Sequence, residues 1–211
     1  MDKVLKIVLA LAAICLTWLC YQSINTPIEF NEQRDSREKK VVSRLVDIRR
    51  AEVEFKNIKG DYTTNFDTLI AFVKNSKAKI VLKEGVLTDK QLEEGLTERE
   101  AVKQGIIKRD TTYVSMLESL FGKDYPIDSI RYIPYSEPRQ EFELAKAEIA
   151  TGAAGIKVKV MEAKAPFSVY LNGLDKQELV NLIELTEKLE RYPGLKFGDI
   201  QQSNNNAGNW E

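Results

Sequence analysis

Residues 7–21 read IVLALAAICLTWLCY, and the uncharged run to which they belong extends over 22 residues, Ile7 to Ile28, between Lys6 and Glu29. At ~1.5 Å per residue such a run makes a helix roughly 33 Å long, enough to cross the ~30 Å hydrocarbon core of a bilayer. Lys3 and Lys6 flank its short N-terminal side, with Asp2 opposing them in part. This charge bias favours a cytoplasmic N-terminus and export of the chain beyond the run, and Trp18 and Tyr21 suit the outer membrane-water interface. The expected arrangement is a single-pass anchor using residues 4–24 in a bacterial inner membrane, with the C-terminal region periplasmic. A cleaved signal peptide shares the charged start and apolar core. However, QSINTPIEF after Tyr21 has no Ala-x-Ala-like exit, and Leu16-Thr17-Trp18-Leu19 places bulky groups before Cys20, where a lipoprotein signal needs small ones. The segment is therefore read as a retained anchor.

Composition narrows the chemistry. With 31 basic and 32 acidic residues in 211, the chain has no broad basic field, so nucleic acid is not an expected partner. The absence of histidine removes Ser-His and Cys-His nucleophilic pairs and imidazole-bound zinc. Both cysteines, Cys15 and Cys20, fall in the apolar run, which leaves the exported part without a thiol. Hydrophobic residues at 43% and charged residues at 30% suit a folded domain rather than a disordered one.

Beyond the anchor, residues 22–31 read as a connector containing Pro27. The stretch 32–59 then gains a helical stripe at Val41, Leu45, Ile48 and Phe55, with Val42 and Ala51 on its shoulders. Arg44, Arg49, Arg50 and Lys56 are expected to stay wet. Arg49 and Arg50 stand among Asp47, Glu52 and Glu54, which favours a solvated helix face over a phosphate site. Gly60 marks the stop.

Further on, 78–82 (AKIVL) reads as a strand. The stretches 88–94 and 97–104 read as short helices, each opened by a threonine with Gln91 or Glu100 three positions later. The pattern of 106–122 does not decide between helix and strand. IRYIPY (130–135) reads as an edge strand because of Pro134, and 141–149 as a strand with an irregularity near Ala145. TGAAG (151–155) supplies a turn, and Ile156, Val158 and Val160 give the clearest strand alternation in the chain. Phe167, Val169 and Leu171 repeat that period. The short separations imply antiparallel pairing.

After Asn172-Gly173, Asp175 caps a helix with Glu178 completing a capping-box-like pair. Leu179, Leu182, Ile183, Leu185 and Leu189 are expected to form its buried side, and Tyr192-Pro193-Gly194 ends it. Leu195, Phe197 and Ile200 add a last strand. The expected fold is α+β: a transmembrane helix, an amphipathic helix, and an exported mixed domain with a small, mainly antiparallel sheet packed on helices. The expected division is 1–24 cytoplasmic tip and transmembrane helix, 25–60 connector and membrane-proximal helix, 61–202 exported α/β region with room for two subdomains, and 203–211 polar tail.

The junction GDYTTNFDTLIAFVKNSK (60–77), following an apolar helix and a second helical stretch ending near Phe55, resembles the N-terminal region of type IV pilins and type II secretion pseudopilins. The resemblance covers about residues 1–75. It implies a first helix that packs into a filament or pseudopilus and a small α/β head facing outward. The short basic leader ending in glycine, followed by phenylalanine and a glutamate five residues on, does not occur in this sequence. The stretches 44–62, 164–200 and 204–211 are also similar to a family of membrane-anchored proteins found in Bacteroidota. That similarity implies the anchored architecture and carries no reaction with it.

LNGLDK and YPGLKFG lack the P-loop pattern, and no Rossmann fingerprint, EF-hand loop or cysteine-based metal motif occurs, so neither cofactor nor metal is implied. Asp61, Asp67 and the other carboxylates read first as turn, cap and surface groups. Tyr132, Tyr135, Phe142, Phe167 and Tyr170 read first as packing residues. Among the aromatics, Tyr132, Tyr135, Tyr170 and Trp210 are the candidates for contacting a partner, Trp210 because the polar tail offers it little local hydrophobic support. The functional expectation is a non-enzymatic envelope scaffold or assembly component, possible in a pilin-like or secretion-associated complex, with an envelope protein partner or self-association. The alternative is a carboxylate-dependent hydrolase acting on an envelope polymer.

Overall fold

The computed structural model describes residues 2–84, 95, 97–106, 108–152 and 155–211. The chain divides into two compact units, Met1–Asn65 with Ser129–Glu211, and Phe66–Asp128.

The first unit is organised by one helix, α1 (Asp2–Lys59), which runs without interruption through Pro27. The connector expected at 22–31 is therefore helical. Proline removes one backbone donor, yet the helix continues on both sides of it; Asn31 Nδ2 also donates to the Pro27 carbonyl at 2.8 Å. The N-terminal part of α1 is long and apolar enough to cross a membrane. Leu11, Ile14, Trp18, Tyr21 and Ile24 are all more than 60% exposed, whereas Val41, Leu45, Ile48 and Ala51 are fully buried. One helix thus has a bare half and a packed half.

The packed half meets a three-stranded antiparallel sheet of order β3-β4-β5, formed by Glu143–Thr151, Ile156–Pro166 and Gly194–Gly198. The β3-β4 register is continuous from Glu143 opposite Lys164 to Thr151 opposite Ile156, so the irregularity expected near Ala145 is absent. Alternation along the strands puts Met161, Ala163 and Ala165 with Leu195 and Phe197 on one face, and Glu162 and Lys164 with Lys196 on the other. The first set is buried, and β5 lies against α1. Gly198 is required where it stands: its φ is +73° and a Cβ would meet the Met161 carbonyl oxygen at 2.0 Å.

Three expectations change here. Phe167–Tyr170 is a helical turn (α5) rather than a strand, because the chain turns at Pro166 after the last β4-β5 pair. The segment 130–135 makes a single bridge, Tyr132 to Glu141, rather than a strand. Most consequential is α6 (Lys176–Lys188). Asp175 caps it as expected, accepting from the Gln177 and Glu178 amides at 3.0 Å. Yet none of its residues is buried, and Leu185 and Leu189 are 59% and 57% exposed. The apolar sheet face is covered by α1, whose longer stripe presents more surface, and α6 is left at the margin. The polar tail is ordered against β5: the Asn209 amide donates to the Lys196 carbonyl and Gly198 donates to Ala207.

In the second unit, α2 (Phe66–Asn75) buries Phe66, Leu69, Ile70, Phe72 and Val73. The strand expected at 78–82 is β1 (Lys77–Glu84), paired antiparallel with β2 (Lys108–Ser115), which resolves the ambiguous 106–122 stretch together with α4 (Met116–Leu120). Between them α3 (Glu98–Lys103) starts with the expected capping box of Thr97 and Glu100. The helix expected at 88–94 lies outside the described residues.

Candidate functional site

A groove of about 700 Å³ opens in the first unit between the end of α6, the start of β5 and the C-terminal tail. Leu185 and Leu189 form one wall and Trp210 part of the other, with Phe167, Leu195 and Tyr192 among the remaining lining residues. Glu38 from α1 and the charged groups Glu190, Arg191 and Lys196 line it as well. Burial first, then Glu143 and Glu162, pushes the Tyr192 hydroxyl up to about 12, so it stays a neutral donor. Apolar side chains share this lining with five charged residues, Glu38, Glu190, Arg191, Lys196 and Glu211, a mixture that suits the docking of a protein or peptide.

A second, smaller and more polar cavity of about 180 Å³ shares Tyr192 and Lys196 with this groove. Here Glu162, only 3% exposed, is held by Lys196 and Lys164 at 2.8 Å each. Burial depresses the Lys196 ammonium, but Glu162 and Asp199 outweigh it and raise the pKa overall.

The four aromatic candidates fall in different settings. Trp210 is half-buried and lines the groove, packed over Gly208. Tyr170 is fully buried, its hydroxyl 3.4 Å from Glu38 Oε1, and burial and then Glu38 push its pKa upward. Tyr135 is 43% exposed and takes a left-handed backbone conformation (φ 62°), with the Arg37 guanidinium 5.1 Å above its ring. Arg37 also donates to the Tyr170 and Asn172 carbonyls at 2.9 Å, so Tyr135 and Tyr170 converge on it. Tyr132 is half-buried with Arg139 over its ring at 5.6 Å. Of the four, only Trp210 lines the groove directly, and Tyr170 reaches it through Glu38.

Leu185 and Leu189 were expected in the core, and their place in the groove was not legible from periodicity. The signal that bears on it is competition: two helices offered apolar stripes to one small sheet. Arg49, expected to be solvated, instead donates to the Asn206 carbonyl at 3.1 Å and pairs with Glu211 at 2.6 Å. Arg44 likewise donates to the Ser129 carbonyl, and Lys56 to the Lys159 carbonyl at 3.2 Å.

Asp61 and Asp67, read first as turn, cap and surface groups, have different settings. Asp61 pairs with Lys146 at 2.8 Å, which holds its pKa below the usual range, while Asp67 belongs to the second unit. Glu52 has a pKa raised to about 7, chiefly by burial, but it is 0% exposed and so cannot reach a substrate as it stands. Among the described residues no three His, Cys, Asp or Glu side chains form a group that would hold a metal.

Comparison with known protein families, with curated proteins and with solved structures yields no match to this chain.

Proposed function

We propose that the protein is a non-enzymatic envelope scaffold or assembly component, anchored in the inner membrane by residues 4–24, with its two folded units in the periplasm and a protein partner docked in the groove walled by Leu185, Leu189 and Trp210. The observation that carries this reading is the continuity of α1. The exposed apolar half passes into the half packed under the sheet without a linker, so the first unit is held on a stiff rod rather than tethered. That geometry serves positioning. The resemblance of residues 1–75 to pilins and pseudopilins agrees in kind with such a role, and the positive flank of Lys3 and Lys6 supports the cytoplasmic N-terminus.

The test is crosslinking in native membranes, followed by detergent extraction, with a photoreactive side chain at position 185. A discrete partner or self-adduct is expected, and a reproducibly solitary protein overturns the proposal. Membrane-impermeant labelling of a cysteine at position 156, 63% exposed in the first unit and outside the groove, after Cys15→Ser and Cys20→Ser, checks the topology. Protection in intact inner-membrane-right-side-out spheroplasts would place the groove on the wrong side.

A further inference from the structure

Glu52 is enclosed on α1, seven positions before the helix ends. Its Oε2 accepts from the Thr63 amide at 3.1 Å, while its Oε1 has no hydrogen-bond partner among the described residues. We propose that Glu52 is a protonation-dependent latch on the Gly60–Thr63 turn: the neutral carboxyl keeps the turn closed over it, and the carboxylate releases the turn.

The surrounding cations are already engaged. Lys146, from β3, donates to Asp61 Oδ2 and to the Tyr62 carbonyl, each at 2.8 Å. Lys159, from β4, donates to the Gly60 carbonyl at 2.7 Å and stands 3.8 Å from Asp61. Lys56, from α1 itself, reaches the Tyr62 hydroxyl at 3.3 Å and the Lys159 carbonyl. Asn206, from the tail, donates to that same hydroxyl at 2.9 Å. These groups hold the turn from outside, and Asp61 adds a negative charge beside Glu52.

An enclosed carboxylate with one bare oxygen is costly, since burial strips its hydration and only one amide replaces it. The protonated form carries no such charge and still accepts from Thr63. Burial is the main cause of the raised pKa, which the Thr63 amide and Lys146 offset in part and Asp61 reinforces. Once ionised, Glu52 gains by drawing water under the turn or by taking Lys146 from Asp61 and Tyr62. Either change loosens the segment whose last residue, Asn65, closes the first unit before Phe66.

The experiment uses the full chain in detergent micelles: a carbon-13 carboxyl titration of Glu52 and amide exchange at Tyr62 and Thr63. The carboxyl is expected to titrate near pH 7, and Thr63 protection, corrected for intrinsic exchange, to fall roughly tenfold or more between about pH 6 and about pH 8.5. Glu52→Gln, which keeps an acceptor for Thr63, should make that protection independent of pH. A carboxyl midpoint below about 5.5, or a Thr63 protection unchanged with pH in the wild type, overturns the latch. So does an equal loss in Glu52→Gln. Should that variant fail to fold, Asp61→Asn decides: freeing Lys146 and removing a neighbouring charge must lower the Glu52 midpoint, and an unchanged midpoint refutes the coupling.

Discussion

Arg49 and Glu211, 162 positions apart in sequence, meet at 2.6 Å and tie the C-terminus to the long helix. The contact belongs to a wider pattern. The buried stripe of Val41, Leu45, Ile48 and Phe55 is bordered on one side by Arg37 and Arg44 and on the other by Arg49 and Lys56, as helical spacing requires. All four border cations donate to backbone carbonyls of the unit: Tyr170 and Asn172, Ser129, Asn206, and Lys159. The helix is sealed to the domain along both margins, by charge-assisted bonds that also satisfy loop carbonyls.

Replacing Arg49 by Met keeps an unbranched apolar stem and removes its donors. Amide exchange at Asn209, whose N–H bonds to Lys196, should accelerate, while exchange at the paired β4 amides stays as it was. An unchanged rate at Asn209 would show that the tail is held by its strand-like contacts alone.

Core and margin should respond differently to substitution. Leu45→Ala and Phe197→Ala each remove a side chain that is 0% exposed, and each should destabilise the detergent-solubilised protein by about 2–5 kcal/mol. Leu185→Ser, at a 59% exposed position, should change stability by less than about 0.5 kcal/mol. Urea unfolding followed by tryptophan fluorescence separates the two cases. A large loss for Leu185→Ser would mean that α6 is packed more tightly than its exposure indicates.

Glu52 predicts a pH dependence of known sign. Its folded pKa of about 7 lies above the ordinary carboxylate value of 4.5, so between those limits the folded state binds more protons than the unfolded state. Its contribution to stability is therefore full below the lower limit, lost as pH rises to the upper one, and flat above it, with a magnitude on the order of 3 kcal/mol. Relative to the wild type, Glu52→Gln should be more stable at about pH 8 than at about pH 5 by that order. Urea midpoints at the two pH values measure the difference, and equal differences would refute the assignment.

The groove gives a prediction about association. With the photoreactive side chain moved to position 189, which lines the same groove, Leu185→Asp and Trp210→Ala should leave the fold intact by circular dichroism and reduce the crosslinked adduct in native membranes several-fold. Glu190→Gln, which removes an exposed charge at the same groove, should have a smaller effect, because solvent-exposed rim charges contribute little to such contacts. Full adduct yield with Leu185→Asp would move the partner elsewhere on the surface.

Much of the architecture was legible along the chain, because its signals are local. An uncharged run of membrane-spanning length, the apolar stripe of α1, the β4 alternation, and the Thr97 and Asp175 caps each depend on neighbours within one or two turns of backbone. What the sequence determined by itself was thus the type of these particular elements and the α+β class with its long apolar N-terminal helix. Only the tertiary structure decided which helix covers the sheet. Two apolar stripes competed for one face of three short strands; α1 prevailed through its length and its bordering cations, leaving Leu185 and Leu189 to wall a groove. It decided equally that Arg49 would hold the tail and that Glu52 would be enclosed with one oxygen bare, since burial and pairing across 162 positions depend on contacts that no local pattern encodes.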